Sequence, residues 1–410
     1  MFPRFRLRML VVALVAILTL GFTMQELSTT YDLRVDTTIP KTYFTNVGSR
    51  LQKELDLLRA KPAPKVASHS TRSFKAGVPK PAGESYTKTI VVGAKSADDT
   101  SWLDIDVPSN IEKAIYAVDD PNAVLHPPAN KGREAMVYLT YIIDHYTNLS
   151  DVTLFMHSHR WAWHNNDLLD NDSAALATYL LPQRVLREGY VNLRCQWYPG
   201  CPTWLDTAVN EAEKPEGALI AKAWSSLFPT EPLPSHLAST CCAQFALSRA
   251  RITAIPLAEY ERLRTWLLNT RLEDGLSGRV FEYVWHYLWT GQAILCADQH
   301  TCFCETYGLC FSNESSFQAW FEKRFYLRRD EWQLVGWDRE RGAGKKVDER
   351  QYDEVREKVN GAWMVLADWR DRALEDGRDG LVRARVGQRQ VDAGDGDGKG
   401  RLEKWKSAKG

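Results

Sequence analysis

A cluster of histidines at the end of a predicted strand offers the first candidates for chemistry. His157, His159 and His164 are three of the nine histidines in the chain. Residues two apart at a strand end face the same side, so His157 and His159 can bind one divalent ion, with His164 or a nearby acid completing its shell. Imidazole suits several divalent ions, and the candidate cofactors are Mn²⁺, Mg²⁺ and Zn²⁺. Because Trp161 and Trp163 lie among these histidines, contact with a substrate and a purely structural role are the alternatives.

A carboxylate and an imidazole four residues apart form a second candidate. Glu282 and His286 lie in the segment 277–289, whose apolar residues recur at helical spacing. Residues four apart share one face of a helix, so the two side chains can meet. A carboxylate beside an imidazole can act as a general acid or base, and we predict that this pair is catalytic. A buried structural pair is the alternative.

Two adjacent acids follow the first predicted strand. In open α/β sheets, ligands bind beyond the carboxyl ends of the strands. Asp98 and Asp99 are therefore predicted to bind the hydroxyl groups of a nucleoside or a sugar. The alternative is an ordinary helix cap, in which one of these carboxylates accepts hydrogen bonds from first-turn amides.

A cationic stretch opens the long helix predicted over residues 132–146. Asn130, Lys131 and Arg133 stand at its start, where the helix dipole makes cations unfavourable unless an anion binds there. Helix N-termini bind phosphates readily, so these residues predict a site for a nucleotide diphosphate. Alternatively, both basic side chains point into water.

The common nucleophile and nucleotide motifs are missing from the sequence. It has no Gly-x-Ser-x-Gly elbow, no Walker loop and no Gly-x-Gly-x-x-Gly. Asp-x-Asp occurs at Asp104 and Asp106 and again at Asp170 and Asp172, but neither pair follows a clear strand end.

The elements that must position these residues alternate between strands and helices. Buried-strand patterns occupy residues 89–94, 114–118, 151–156, 190–194 and 243–248. Helical patterns occupy residues 132–146, 174–188, 257–268, 277–289 and 347–375. This alternation predicts an α/β fold of Rossmann-like type, in which helices cover a mostly parallel sheet.

The N-terminus sets the predicted compartment. Arg4, Arg6 and Arg8 precede an uncharged apolar run. A positive flank holds the N-terminus in the cytosol and sends the rest across the membrane, which favours an uncleaved signal anchor. A cleaved signal peptide is the alternative. The predicted segments are a cytosolic basic flank 1–8, the anchor or signal peptide 9–24, a stem 25–87, a lumenal α/β domain 88–345, a charged helix 346–375 and a disordered tail 376–410.

Cysteines are confined to the later part of the chain. An even, clustered count in a secretory chain predicts disulfides. Spacing does not fix the pairing, and the shortest loops would join Cys195 to Cys201 and pair cysteines within the Cys-rich loop 296–310. A zinc site within that C-terminal loop is the alternative. The eight cysteines are Cys195, Cys201, Cys241, Cys242, Cys296, Cys302, Cys304 and Cys310.

Three Asn-x-Ser triplets also favour a lumenal position for the chain after the anchor. Asn148, Asn171 and Asn313 are the predicted glycosylation sites. Together with the anchor and the cysteines, they predict a single-pass type II membrane protein in the Golgi or ER lumen, held to the membrane by its N-terminal helix; a cleaved leader would give a secreted protein. Lys plus Arg and Asp plus Glu are balanced at 52 each, so no overall field attracts a polyanion, and nucleic acid is not an expected partner.

Several stretches of the chain together resemble one family. They are Val91-Val-Gly-Ala94, Asp99-Thr-Ser-Trp102, Asn130-Lys-Gly-Arg-Glu-Ala135, Tyr138-Leu-Thr-Tyr-Ile-Ile-Asp-His-Tyr146, Phe155-Met-His-Ser-His-Arg160, Tyr190-Val-Asn-Leu-Arg-Cys195, Cys241-Cys-Ala-Gln-Phe-Ala246, Ser277-Gly-Arg-Val-Phe-Glu-Tyr-Val-Trp-His286 and Cys302-x-Cys304-x-x-Tyr-Gly-x-Cys310. The combination resembles the fungal family catalogued as domain of unknown function thirty-four thirty-one, over residues 88–312. Its opening, a strand followed by acids and Trp, is similar to the start of nucleotide-sugar glycosyltransferases of the GT-A type.

We therefore predict a glycosyltransferase-like enzyme with a nucleotide sugar as donor and a glycan as acceptor. One alternative is a metal-dependent hydrolase built on the histidine cluster. Another is a non-catalytic carbohydrate-binding or assembly module, which the 15 tryptophans permit. In the enzyme, the predicted roles are nucleoside binding by Asp98 and Asp99, diphosphate binding by Lys131 and Arg133, metal or acceptor binding by His157 and His159, and general base catalysis by Glu282.

Overall fold

The computed structural model describes residues 75–81, 83–202, 204–207 and 216–394. The predicted basic flank, the predicted anchor and most of the predicted stem lie outside the described residues. Among the helices that are described, none combines the length and the apolar character needed to cross a membrane.

A five-stranded sheet forms the centre of the molecule. Its strand order is β2-β1-β3-β7-β4, and a small second sheet has the order β5-β6-β8. β1 pairs in parallel with β2 and β3, whereas β7 runs antiparallel to both β3 and β4. The strands are β1 (Lys88–Ala94), β2 (Ile111–Ala117), β3 (Val152–His157), β4 (Tyr190–Asn192), β5 (Leu205–Asp206), β6 (His236–Ser239), β7 (Phe245–Ser248) and β8 (Ile294–Leu295).

The sheet is mixed, since two of its four strand pairs are parallel and two are antiparallel. Four strands share one direction, and β7 is inserted among them in the opposite direction. A fully buried strand carries the same apolar run in either direction, so its sequence does not encode its polarity. The predicted helix-covered α/β arrangement is confirmed at this coarser level.

Helices cover both faces of the sheet. Alternate strand residues point to opposite faces. Val91 and Phe155 pack in one core with α2, α5, α7 and α8, while Val92 and Leu154 pack in another with α1, α3, α4 and α9 to α11. The helices are α1 (Trp102–Ile105), α2 (Glu134–Asp144), α3 (Ser173–Tyr179), α4 (Pro182–Glu188), α5 (Glu216–Leu227), α6 (Arg249–Thr253), α7 (Leu257–Asn269), α8 (Asp274–Thr290), α9 (Gln299–Tyr307), α10 (Glu314–Gly342), α11 (Glu349–Asp376) and α12 (Gly380–Gly394).

Several helical segments differ from the sequence predictions, and α5, α6 and α10 were not predicted. The predicted helix 174–188 is divided into α3 and α4, because Pro182 cannot continue the first helix but fits the first turn of the second. The Cys-rich loop predicted over 296–310 contains α9, which Asp298 caps by accepting from the Thr301 amide. The segment predicted as a disordered tail contains α12, and Val386 of this helix packs with Cys304 and Cys310.

All eight cysteines are paired in four disulfides, as predicted. Cys304–Cys310 confirms the prediction of a bridge within the Cys-rich loop 296–310, whereas the predicted Cys195–Cys201 bridge is wrong. Cys195 bonds to Cys302 and not to Cys201, because the fold places the segment after β4 against the start of α9. Since every thiol is oxidised, the alternative zinc site has no free cysteine ligand. The bridges are Cys195–Cys302, Cys201–Cys296, Cys241–Cys242 and Cys304–Cys310.

Candidate functional site

A hydrogen-bonded group of four residues lies at the carboxyl end of β3, and we call it the His157 cluster. His157 Nδ1 lies 2.9 Å from Glu134 Oε1, and His157 Nε2 lies 2.7 Å from the carbonyl oxygen of Cys242. The Cys242 amide donates to Glu282 Oε1 at 2.9 Å. The cluster is therefore a continuous chain of contacts from Glu134 through His157 and Cys242 to Glu282.

Two elements bring Glu134 and His157 together. His157 is the last residue of β3 and pairs with Gly93 of β1. A Cβ at Gly93 would lie 2.9 Å from Val137 Cγ2, so glycine allows α2 to pack closely on β1. Gly132 and Arg133 both have positive φ, at 74° and 49°, and this turn starts α2 at Glu134. The carboxylate of the first helical turn consequently lies over the strand end.

The surroundings of His157 favour its charged form. Each ring nitrogen faces an oxygen that can only accept, so an imidazolium donating to both satisfies the geometry. Burial alone lowers the pKa of His157, but the Glu134 carboxylate and its hydrogen bond outweigh burial and raise that pKa above its usual value. Burial raises the pKa of Glu134, yet the charge of His157 and their hydrogen bond bring it down to about 2. The Glu134 carboxylate therefore stabilises the charged form of His157, and His157 in turn stabilises the ionised form of Glu134.

The pKa of Glu282 is shifted in the opposite direction to that of Glu134. Burial raises the pKa of its carboxyl group, and the hydrogen bond from the Cys242 amide opposes that rise only in part. The cluster therefore holds two carboxylates whose pKa values are pushed apart, Glu134 downwards and Glu282 upwards. Such a separation is typical of sites that divide acid and base roles between two carboxyl groups.

The turn that joins Glu282 to His157 contains adjacent bridged cysteines. Cys241 and Cys242 are bonded to each other, and Cys242 and Ala243 both have positive φ, at 87° and 50°. The next residue, Gln244, accepts a hydrogen bond from the backbone amide of His157 at 3.1 Å. This turn fixes the positions of both Glu282 and His157, a role that the sequence did not reveal because it depends on tertiary contacts.

The predicted catalytic partner of Glu282 makes its own contact elsewhere. His286 Nε2 lies 2.9 Å from the carbonyl oxygen of Ala293. The side chain is buried, and burial lowers the pKa of His286 to about 4, so the ring is neutral. Glu282 and His286 lie on one helix, but the hydrogen bonds of Glu282 lead to the His157 cluster and those of His286 lead to the loop before β8.

The other two predicted metal ligands are placed differently from His157. His159 is exposed. The ring of His164 packs edge-on against His157 at a centroid distance of 4.8 Å, and burial lowers the pKa of His164 to about 3. One ring nitrogen of His157 faces the Glu134 carboxylate and the other faces the Cys242 carbonyl oxygen, so both are already hydrogen-bonded within the protein. Among the described residues, no group of three or more His, Cys, Asp or Glu side chains has a metal-binding arrangement.

The acidic loop after β1 joins the same edge of the sheet. Asp98 Oδ2 accepts hydrogen bonds at 3.0 Å from the Lys95 amide and from the hydroxyl of Ser158, the residue after His157. Asp99 is exposed, and its Oδ1 accepts from the amide and hydroxyl of Ser101. Asp98 thus positions the loop beside the cluster, whereas Asp99 faces solvent.

The three residues before α2 lie in different environments. The ammonium group of Lys131 contacts the carbonyl oxygens of Leu268 and Thr270, so it caps the end of α7. Arg133 is exposed, with its Nε 3.9 Å from Asp274 Oδ2, and its charge contributes to the low pKa of Glu134 after the larger effect of His157. Asn130 is exposed. Of these three residues, Arg133 is the one whose charge acts on Glu134 in the His157 cluster.

The predicted glycosylation sites differ in accessibility. Asn148 and Asn313 are exposed. Asn171 is partly buried, and its amide nitrogen donates to Asp167 Oδ1 at 3.2 Å. Asn313 is hydrogen-bonded as well, since its Oδ1 accepts from the Ser316 amide at the start of α10 and its Nδ2 donates to the Ser312 hydroxyl at 3.3 Å. A glycan on Asn171 or Asn313 would thus be attached at a nitrogen that already donates a hydrogen bond within the protein.

The family comparison matches the part of the chain that builds this site. The profile of the family described as Protein of unknown function (DUF3431) matches residues 90–305. The chain belongs to this family. The DUF3431 match spans β1 to α9 and includes all four residues of the His157 cluster, while α10, α11 and α12 follow it. No curated protein and no solved structure matches the chain.

Proposed function

We propose that this DUF3431 chain is a glycosyltransferase-like enzyme that moves a sugar from a nucleotide sugar to a glycan acceptor. The observation that carries the proposal is Glu282, a partly buried carboxylate with a raised pKa at the carboxyl end of β3. A general base works best when its pKa lies near the working pH. Ligands of open α/β sheets bind at this edge, and the GT-A-like opening of the sequence supports a nucleotide sugar there.

Glu282 is the proposed general base. It takes the proton from an acceptor hydroxyl while the oxygen of that hydroxyl attacks the anomeric carbon of the donor. The new C–O bond forms as the bond between the anomeric carbon and the diphosphate breaks, and the nucleoside diphosphate leaves with the electron pair. Positioning of the two substrates and stabilisation of the departing charge supply most of the expected rate enhancement.

Two arginines are the proposed diphosphate ligands. Arg133 is close enough to Glu134, and Arg279 close enough to Glu282, for their charges to interact. Both arginines are exposed, and a Cβ added to Gly278 would lie 3.2 Å from Arg133 Cβ, so α8 passes close to Arg133. The predicted role of Lys131 is therefore assigned to Arg279, because Lys131 already caps α7.

The loop after β1 is the proposed nucleoside site. Asp99 is the acid that faces solvent there, and both of its hydrogen bonds to Ser101 use Oδ1. The other oxygen, Oδ2, is available to a ribose hydroxyl. Asp98 stabilises this loop by accepting a hydrogen bond from the hydroxyl of Ser158.

The lumen of the endomembrane system is the proposed setting. Four disulfides form and persist in an oxidising compartment. We place the enzyme in the Golgi or ER as a type II membrane protein, with its anchor in residues 9–24.

Diphosphate binding tests the proposal without knowledge of the acceptor. Full-length protein is titrated calorimetrically with the diphosphates of uridine, guanosine and adenosine. We expect one of them to bind, and Arg133→Ala and Arg279→Ala each to weaken it by about tenfold or more, since hydrogen bonds to charged groups contribute about 1.5–3 kcal/mol. Arg350→Ala is the matched control, because Arg350 is an exposed arginine on α11. Wild-type affinity in both site variants, or no binding of any diphosphate, would refute the proposal.

A further inference from the structure

Two exposed tryptophans stand in the loop that follows β3. Trp161 and Trp163 are 50% and 48% exposed, although indole rings are usually buried because they remove a large apolar area from water. Both belong to one short segment beside the His157 cluster. Two exposed apolar rings within one short segment make that segment a candidate binding surface.

The loop holds both rings in defined positions. The guanidinium of Arg160 lies 4.6 Å from the ring centroid of Trp161, and that of Arg194 lies 6.0 Å from the ring centroid of Trp163. Arg160 is fixed in turn by Asp106 at 2.7 Å and by Asp172 at 3.2 Å. Rigid aromatic side chains bind ligands with a small loss of conformational entropy.

The backbone of the loop is equally constrained. Ala162 donates its amide to the carbonyl oxygen of Asn171 at 3.2 Å, and the buried side chain of Asn165 donates to the same oxygen at 2.9 Å. Arg194 donates to the carbonyl oxygen of Asn165 at 2.6 Å. The two indoles are therefore presented by a loop that is ordered before any ligand arrives.

Ring contacts connect the tryptophans to the His157 cluster. Trp163 packs edge-on against His164 at 5.6 Å, and His164 packs edge-on against His157 at 4.8 Å. A ligand on Trp163 is thus two ring contacts away from the imidazolium and lies on the same edge of the sheet as Glu282.

We propose that Trp161 and Trp163 form the subsite that binds the glycan acceptor, by stacking against the C–H faces of its pyranose rings. A pyranose ring presents an apolar face and a polar rim, which suits an exposed indole surrounded by polar groups. The exposed His159 and the Arg160–Asp106 pair supply hydrogen-bonding partners for that rim.

The charges around the tryptophans favour a neutral sugar over an anionic surface. Arg160 is neutralised by two carboxylates, and the guanidinium of Arg194 is buried and donates to carbonyl oxygens. Attachment to anionic lipid uses cations that accompany the apolar side chains, and here both arginines are already engaged.

Calorimetric titration of the full-length protein with linear tetrasaccharides of glucose, mannose, galactose and N-acetylglucosamine tests this subsite. The acceptor role rests on the proposed function, but the titration contains no donor, so its failure is distinct from a failure of diphosphate binding. We expect at least one tetrasaccharide to bind at millimolar concentration. Trp161→Ala and Trp163→Ala should each weaken that binding by about tenfold, as truncation of a central aromatic contact does, while Trp163→Phe should retain most of it.

The control is Tyr326→Ala, since Tyr326 is also an exposed aromatic residue with an arginine near its ring, Arg329 at 5.5 Å. This variant should bind the tetrasaccharide like the wild type. Three results would overturn the subsite: no tetrasaccharide binds, the tryptophan variants bind with unchanged affinity, or the tryptophans are needed instead for binding to vesicles of phosphatidylcholine and phosphatidylserine.

Discussion

Replacing Glu282 with glutamine is expected to lower the rate of glycosyl transfer by about 10²- to 10⁴-fold, the usual contribution of a general base. Glutamine keeps an oxygen that can accept from the Cys242 amide, so the turn and the fold should be unchanged. It cannot take a proton from an acceptor hydroxyl. The measurement is release of nucleoside diphosphate from a nucleotide sugar in the presence of a glycan, with matched circular dichroism spectra.

The pH profile of the same reaction adds a second readout. Glu282 must be ionised, so the rate should rise with pH through its pKa, which lies above the ordinary 4.5. Loss of the second ring proton of His157 removes its hydrogen bond to Glu134 or to the Cys242 carbonyl group, and so loosens the turn that holds Glu282. The rate should therefore fall again as pH passes the pKa of His157, which lies above the ordinary 6.5. Glu134 is ionised throughout, since its pKa is about 2.

Glu261→Gln is the control for these measurements, because Glu261 is an exposed acid on α7. It should retain the wild-type rate and the wild-type pH profile. A Glu282→Gln enzyme as active as the wild type would remove the base from the mechanism.

Removing the two long-range disulfides is expected to have the largest effect on stability. Cys195–Cys302 and Cys201–Cys296 close segments with sequence separations of 107 and 95 residues. The two bridges are nested, so when one is intact the other closes an effective loop of only about a dozen residues, which corresponds to about 3 kcal/mol. When both bridges are removed, the long loop opens as well. The chain-entropy model then gives a total loss of about 8 kcal/mol in the free energy of unfolding.

Serine replacement of each cysteine pair tests this order. Either nested pair alone should lower the free energy of unfolding by about 3 kcal/mol in urea titrations, whereas loss of both should prevent folding, since domains are typically stable by about 5–15 kcal/mol. The comparison is Cys304–Cys310, whose separation of 6 residues gives about 2 kcal/mol. A larger cost at Cys304–Cys310 than at either nested pair would contradict the loop argument.

Local patterns were sufficient to predict the elements that carry their own periodicity. The apolar run before Ala94 predicted β1, the stripe from Ala135 to Ile142 predicted most of α2, and the 277–289 pattern predicted most of α8. The direction of β7 and the helix α9 were not predicted, because a buried strand has no polarity signal and the cysteines of α9 interrupt a helical pattern. α10 was also missed, since its polar residues give it a weak apolar stripe.

The sequence predicted which types of residue belong to the candidate site, but only some of the contacts between them. His157 and Glu282 were identified from spacing alone, and the structure places both in one cluster. Glu134 was missed as a partner of His157, because the two are brought together only by the packing of α2 on β1. The sequence feature that could have identified Glu134 is its position as an acid in the first turn of a helix, shortly after Gly132. Cys241 and Cys242 were predicted only to take part in disulfides, and neither their bond to each other nor their contacts with Glu282 and His157 were predicted, because those contacts are tertiary.

The central claim is that His157 is a charged imidazolium held between Glu134 and the Cys242 carbonyl group, and NMR titration of its ring tests this most directly. Full-length protein is labelled at histidine, and His157→Gln identifies the signal. We predict a pKa above 6.5 for His157 in the wild type and a lower pKa in Glu134→Gln, because burial then acts without the opposing carboxylate. A wild-type pKa at or below 6.5, or the same pKa in Glu134→Gln, would contradict the account.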